Sequence, residues 1–187
     1  MGNFEFRTTG IDGLYLIEPK VYGDQRGYFM ETYNEAEFKA AGLDIKFVQD
    51  NQSFSRKGVL RGLHYQKQHP QGKLVRALYG AIYDVAIDLR KNSKTYGQWY
   101  GVVLSGENNK MLYVPEGFAH GFYVISDEVC FIYKCTDFYH PEDEGGIIWN
   151  DKDLAIQWPI SEGMEVILSE KDKKLPTLRE SGWTFDI

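Results

Sequence analysis

Short runs in which apolar and polar residues alternate fill most of the chain, and glycine or polar turns separate them. Alternation with a period of two is typical of β-strands that bury one face. The pattern predicts strands at Leu14–Pro19, Tyr28–Tyr33, Leu74–Tyr79, Ala81–Leu89, Trp99–Leu104, Lys110–Val114, Phe118–Val124 and Val129–Cys135. Many short strands of this kind favour an all-β sandwich or barrel.

Helical pattern is scarce. Glu35–Ala41 is the clear early helix, with Asn34 as its N-cap and Gly42 directly after its end. Ser169–Asp172 predicts a short helical turn near the C-terminus. Because no internal repeat or linker is visible, we expect one domain over residues 1–187, mainly β with short peripheral helices.

The composition narrows the class of protein. With 187 residues, 43% hydrophobic and 15% aromatic, the chain can bury a full core and is globular. A net charge of −6 argues against nucleic acid as a partner. No stretch approaches the roughly 20 apolar residues of a membrane span, and the first residues lack a signal-peptide pattern. We therefore expect a cytoplasmic protein with no membrane partner.

The two cysteines, Cys130 and Cys135, lie on one predicted strand. Their odd separation places them on opposite faces, so we expect no disulfide between them and interpret them as small buried residues.

The most informative stretch for chemistry is Gly58–Gln66, where Arg61 and His64 stand among glycines in strand-like sequence. Polar, titratable groups in such a run indicate a lined pocket. Strict alternation would put Arg61 and His64 on opposite faces, so both reach one pocket only if Gly62 interrupts the strand. A second histidine, His120, stands between Phe118 and Phe122, where ordinary core packing is an equally good interpretation.

His64 has three possible roles, as a metal ligand, a core histidine or a general base. The chain lacks His-x-His, and His69 and His140 stand beside prolines in polar sequence. Two histidines without a matching carboxylate make a poor metal site, so we expect no metal. A reference pKa of about 6.5 suits a histidine to proton transfer near neutrality, which favours the general base.

An enzyme that removes a proton from one face of its substrate and returns it to the other needs an acid opposite the base. Tyr133 is a candidate, because it shares a strand face with Phe131 and Cys135. The carboxylate that would orient the histidine is left open among Asp84, Asp88 and Asp172. Four cations, Arg26, Arg61, Lys73 and Lys171, indicate a phosphorylated or carboxylated substrate held by side chains, since no glycine-rich nucleotide loop is present.

Read together, these residues resemble the dTDP-4-dehydrorhamnose 3,5-epimerase family. Ordered blocks carry the resemblance through nearly the whole chain: Gly23–Gly27 with Glu31, Phe47–Asn51, Val59–His64, Gln71–Arg76, Asp84–Arg90, Pro115–Phe122, Tyr133–Cys135, Glu144–Ile147, Trp149–Asp151 and Lys171–Asp172.

The resemblance implies a cupin-type jelly-roll β-sandwich, a homodimer, and no metal or organic cofactor. It implies a dTDP-sugar substrate, dTDP-4-dehydro-6-deoxy-α-D-glucose, inverted at C3 and C5 on the route to dTDP-L-rhamnose. His64 then corresponds to the base, Asp172 to its orienting carboxylate and Tyr133 to the acid. The implied substrate contacts are Arg26, Glu31, Gln49, Asp50, Asn51, Arg61, Lys73, His120, Glu144 and Lys171.

The implied reaction is proton transfer through an enolate, because the C4 ketone acidifies the hydrogens on both neighbouring carbons. A mono-epimerase acting on a related dTDP-4-keto sugar is the nearest alternative. A non-catalytic cupin-like sugar-nucleotide module and a metal-dependent cupin enzyme are further alternatives.

Overall fold

A computed structural model gives the structure of residues 2–187, and Met1 lies outside the described residues. The strands are β1 Phe4–Thr8, β2 Tyr15–Pro19, β3 Tyr22–Asp24, β4 Gly27–Phe29, β5 Gln49–Arg56, β6 Leu60–Gln66, β7 Lys73–Tyr79, β8 Ala81–Asp88, β9 Trp99–Ser105, β10 Met111–Val114, β11 Phe118–Val124, β12 Glu128–Cys135 and β13 Glu144–Gly146. The α-helices are α1 Glu35–Ala40 and α2 Leu178–Ser181, and short 3₁₀ turns cover Pro141–Asp143 and Asp172–Lys174.

Two antiparallel sheets form the body. One has six strands in the order β1-β2-β10-β7-β12-β5, and the other has five in the order β13-β6-β11-β8-β9. Strands that are distant in sequence pair within each sheet, as expected for a Greek-key sandwich. The fold is therefore mainly β, and the predicted cupin-type jelly roll is confirmed. The hairpin β3-β4 stands apart from both sheets.

The core lies between the two sheets. Val75, Leu112 and Phe131 from the larger sheet pack with Ile82 and Phe122 from the smaller one, and all are buried. Burial of this apolar surface supplies the main driving force for joining the sheets. Since the apolar side chains fill only part of the space, polar side chains line the rest of it.

The outer faces of both sheets are also partly covered. The chain after β13 packs Ile147, Leu154 and Phe185 onto the smaller sheet. Helix α1 packs Phe38 onto the larger sheet, and Asn34 caps the helix by accepting hydrogen bonds from two backbone amides. Within residues 2–187, no helix is long and apolar enough to cross a membrane.

Several strands differ from the prediction, including the short strands β3 and β13, which it did not contain. β1 precedes the predicted first strand, and β4 ends at Phe29 rather than continuing to Tyr33, because the chain turns there toward the N-cap of α1. β5 was not predicted, since its sequence Gln49–Arg56 is polar at most positions. The predicted helix and the other predicted strands agree with the structure to within one or two residues.

Both cysteines are free. The interpretation of both as buried holds for Cys135 but is wrong for Cys130, which is partly exposed. This difference fits side chains that point to opposite faces of β12.

Candidate active site

A cavity of about 530 Å³ opens between the two sheets. Most of the predicted site residues line it, namely Arg61, His64, Lys73, His120, Tyr133, Glu144, Lys171 and Asp172. A smaller space of about 200 Å³ adjoins it and adds Gln49 and Asn51. The structure therefore gathers residues from both sheets and from the C-terminal segment at one place.

A β-bulge in β6 brings Arg61 and His64 to the same cavity. His64 pairs with His120 and Arg61 pairs with Phe122, so three steps along β6 match two steps along β11. The extra residue cancels the expected alternation, and both side chains share one face. Gly62 allows this arrangement, since its φ is +105° and a Cβ there would lie 2.6 Å from the His120 carbonyl oxygen.

His64 is held by a buried carboxylate. Its Nε2 lies 2.6 Å from Oδ1 of Asp172, which the 3₁₀ turn Asp172–Lys174 carries to the edge of β6. Burial alone would raise the pKa of Asp172, but the hydrogen bond from His64 and the charge of that ring outweigh it, so the pKa is lowered. Such a pair fixes the ring orientation and leaves Nδ1 as its second polar atom.

Glu144 forms a small network beside this pair. Its Oε1 lies 3.7 Å from His64 Nδ1, and its Oε2 pairs with Lys171 and accepts a hydrogen bond of 2.7 Å from Tyr139. Burial opposes ionisation of Glu144, yet these donors hold its pKa below the ordinary value. The hydrogen bond to Glu144, followed by burial, raises the pKa of Tyr139 to about 12.

Lys73 and Tyr133 face the cavity from the larger sheet. Burial lowers the pKa of Lys73 even though Cys135, Asp84 and Glu144 oppose the shift. Burial raises the pKa of Tyr133, so its phenol stays protonated across the neutral range. Lys73 makes no ion pair within 4.0 Å in the described part of the chain, which leaves its ammonium group for a ligand.

The three carboxylates left open by the sequence have three different partners. Asp172 contacts His64, and Asp84 contacts Nε2 of His120 at 2.9 and 3.0 Å. Asp88 instead holds Arg90 and two loop hydroxyl groups away from the cavity. His120 is thus a cavity residue with its own carboxylate. It is buried, as the core-packing interpretation expects, but it also lines the cavity.

The two remaining histidines lie together, away from the cavity. His69 and His140 stack on each other, with ring centroids 4.1 Å apart, outside the cavity. In residues 2–187, no group of three or more His, Cys, Asp or Glu side chains is placed to hold a metal ion.

Comparison with known proteins decides the family. The sequence matches the family described as dTDP-4-dehydrorhamnose 3,5-epimerase over residues 8–180. The chain belongs to this family. It is therefore an isomerase, as the resemblance implied.

Relatives in this epimerase family cover almost the whole chain. The dTDP-4-dehydrorhamnose 3,5-epimerase of Methanothermobacter thermautotrophicus is 57% identical over 97% of this chain and 98% of its own length. The Escherichia coli epimerase is 51% identical over 92% of this chain and 93% of its own length.

Solved structures agree with the fold. The Legionella pneumophila epimerase, in complex with dTDP-4-keto-L-rhamnose, superposes with a TM-score of 0.91 at 52% identity, covering 94% of this chain and 93% of that one. A 3′-monoepimerase from Streptomyces bikiniensis, in complex with dTDP-quinovose, superposes with a TM-score of 0.86 at 32% identity, covering 95% and 91%.

Three residues that the epimerase resemblance marked as substrate contacts lie apart from the cavity. Arg26, in the β3-β4 turn, pairs with Asp24 and has a side chain 90% exposed. Glu31 accepts a hydrogen bond from Asn34. Asp50 points to the outer face of β5, where it pairs with Lys134 at 2.9 Å.

The cavity residues that the sequence reasoning missed include Tyr139 and Ser53. Tyr139 lines both spaces, and Ser53 lines the larger one with a buried Oγ that has no partner among the described residues. For Ser53 a signal existed: Gln49, Asn51, Ser53 and Ser55 alternate along β5 and turn a polar row inward. Tyr139 had no such signal, because it lies in an irregular segment among many tyrosines.

Proposed function

We propose that the protein inverts C3 and C5 of dTDP-4-dehydro-6-deoxy-α-D-glucose, giving dTDP-4-dehydro-β-L-rhamnose for dTDP-L-rhamnose biosynthesis. One observation carries the proposal. His64 on β6 and Tyr133 on β12 belong to opposite sheets and line the same cavity. Inversion needs a base on one face of the sugar and an acid on the other, which is the arrangement that two facing sheets offer.

His64 is the proposed base. The Asp172 carboxylate at 2.6 Å orients the ring and stabilises the imidazolium that forms when His64 takes a proton. Because Nε2 is occupied by Asp172, Nδ1 is the atom assigned to accept the proton from carbon. Tyr133, kept protonated by its raised pKa, returns a proton to the opposite face.

The intermediate is an enolate whose negative charge develops on O4. Lys73 is the proposed partner of that oxygen, since it is buried, cationic and without an ion pair in the described residues. Arg61 and Lys171 line the same cavity and are assigned to the diphosphate. The oxidation state of the sugar does not change, so the proposed chemistry needs no redox cofactor.

We further propose a homodimer in which the β3-β4 hairpin reaches the partner's cavity. Arg26 lies outside the cavity of its own chain, although the epimerase resemblance marks it as a substrate contact. The same hairpin exposes the rings of Tyr28 and Phe29, which are 59% and 66% accessible. Exposed aromatic residues of this kind mark interaction surfaces. A second copy would cover them and bring Arg26 to a cavity.

The alternative is a mono-epimerase that inverts only one carbon. The similarity to the Streptomyces bikiniensis 3′-monoepimerase favours it as the second candidate, because the two folds superpose closely. Incubation with dTDP-4-dehydro-6-deoxyglucose in D₂O, followed by NMR of the product, separates the two. Deuterium at both C3 and C5 supports double inversion, deuterium at one carbon supports the alternative, and deuterium at neither contradicts both.

A further inference from the structure

A second histidine–carboxylate pair lies beside the first. Asp84 on β8 is fully buried, and both of its carboxylate oxygens lie within 3.0 Å of Nε2 of His120 on β11. A carboxylate removed from water destabilises the fold unless a donor or cation compensates it. His120 is the donor that the fold supplies.

The Asp84 carboxylate has fewer hydrogen-bonding partners than the neighbouring Asp88 carboxylate. Asp88, on the same strand and equally buried, accepts hydrogen bonds from Arg90, Ser93 and Thr95. The hydrogen bonds of the Asp84 carboxylate, by contrast, go only to His120 within residues 2–187. Asp88 therefore organises a loop, whereas Asp84 acts on a single ring.

That ring is fixed on two sides. Nε2 donates to Asp84, and the plane of the ring stacks on Phe131 with an angle of 18° between the two rings. Nδ1, the remaining polar atom, makes no hydrogen bond with the described residues and is not among their buried, unpartnered atoms. His120 is also the cross-strand partner of His64, and both rings line the cavity.

We propose that Asp84 is a positioning residue that acts through His120. It keeps the proton of the ring on Nε2 and thereby presents the unprotonated Nδ1 as an acceptor to a hydroxyl group of the bound substrate. The inference rests on the proposed function, since it assigns His120 to the same dTDP-sugar. The loss of Asp84 would leave the ring free to rotate or to change tautomer, and substrate contacts misplaced by an ångström cost large factors in rate.

A double-mutant cycle tests this role. We compare D84N, H120N and the double variant by kcat/KM for dTDP-4-dehydro-6-deoxyglucose. We expect D84N to lower kcat/KM by about 10- to 100-fold, and the double variant to be no worse than H120N alone. D88N is the matched control, because Asp88 is equally buried on the same strand, and we expect it to lower Tm without changing kcat/KM. Wild-type activity in D84N, or additive losses in the double variant, would overturn the proposal.

Nitrogen-15 NMR of histidine-labelled protein provides a reading that does not depend on turnover or on the folding of D84N. The His120 resonances are assigned by their absence from H120N. We expect a protonated Nε2 in the wild type, and an unprotonated Nε2 would overturn the role of Asp84. A wild type that neither exchanges nor inverts its substrate would contradict the proposed function alone, and the NMR reading would still decide the role of Asp84.

Discussion

Asp172 lies 108 residues after His64 in the sequence, yet its Oδ1 is 2.6 Å from Nε2 of that histidine. The contact forms because the C-terminal segment returns to the edge of β6, where Ile167 exchanges backbone hydrogen bonds with Gly58 and Leu60. The same C-terminal segment also brings Lys171 to Glu144. A single chain segment therefore supplies both the orienting carboxylate and a cation of the proposed site.

The His64–Asp172 pair predicts a pH dependence of stability. The pKa of Asp172 is lowered below its ordinary value of 3.8 in the folded state, so ionisation of this group stabilises the fold at higher pH. This stabilisation is present above the unfolded pKa and is lost as the pH falls through the folded pKa. We expect the difference in Tm between wild type and D172N to be steady near neutral pH and to shrink as the pH falls from the ordinary pKa of 3.8 toward about pH 2. A constant difference over that range would contradict the assignment.

The bulge at Gly62 predicts an unusual sensitivity to a single methyl group. In G62A the new Cβ would meet the His120 carbonyl at 2.6 Å, at a φ of +105°. Gly10 is the matched control, since its φ is +91° and its Cβ would meet nothing within 4 Å. We expect urea unfolding to show that G62A costs about 1–3 kcal/mol more than G10A. We also expect G62A, but not G10A, to lower kcat/KM. Equal losses of unfolding free energy in G62A and G10A would contradict the structural role of the bulge.

Much of the fold followed from the sequence, because alternating runs such as Phe118–Val124 encode a strand locally. β5 escaped prediction, since its inward row is polar and serves the cavity rather than the core. His64 was recognisable from its glycine-rich surroundings. Its partner was not, because the choice among Asp84, Asp88 and Asp172 depends on long-range pairing that no local pattern contains. The placement of Arg61 likewise needed one extra residue in the ladder.

The buried ammonium of Lys73 predicts the alkaline side of the activity profile. Burial lowers the pKa of Lys73 and raises that of Tyr133, so deprotonation of the lysine moves toward neutral pH while that of the tyrosine moves away from it. We therefore expect kcat/KM to decrease on the alkaline side at a pH below 10.5, the ordinary pKa of lysine. In K73R this limb should move to higher pH, because a guanidinium stays charged, while kcat falls about tenfold. K67R, outside the cavity, serves as the control, and an unmoved limb in K73R would contradict the role of Lys73.

The proposed homodimer predicts complementation between two inactive variants. R26A removes the proposed substrate contact and H64N removes the proposed base, so each homodimer should show little activity. If Arg26 serves the partner's cavity, a mixed dimer contains one complete site, and co-refolded protein should regain up to about half of the wild-type rate per mixed dimer. Mixtures that stay as inactive as the separate variants would show that Arg26 does not act across subunits.

The central claim is that His64 and Tyr133 exchange protons with opposite faces of one sugar. Deuterium incorporation from D₂O into dTDP-4-dehydro-6-deoxyglucose, read by NMR for H64N and Y133F, tests it most directly. H69N serves as a control, because His69 lies outside the cavity and should exchange like the wild type. We expect H64N to lose exchange by about 10³-fold or more, since no base remains. We expect Y133F to exchange deuterium with retained configuration, because the base still works and the opposite acid is missing. Inversion at wild-type rate in either variant would contradict the account.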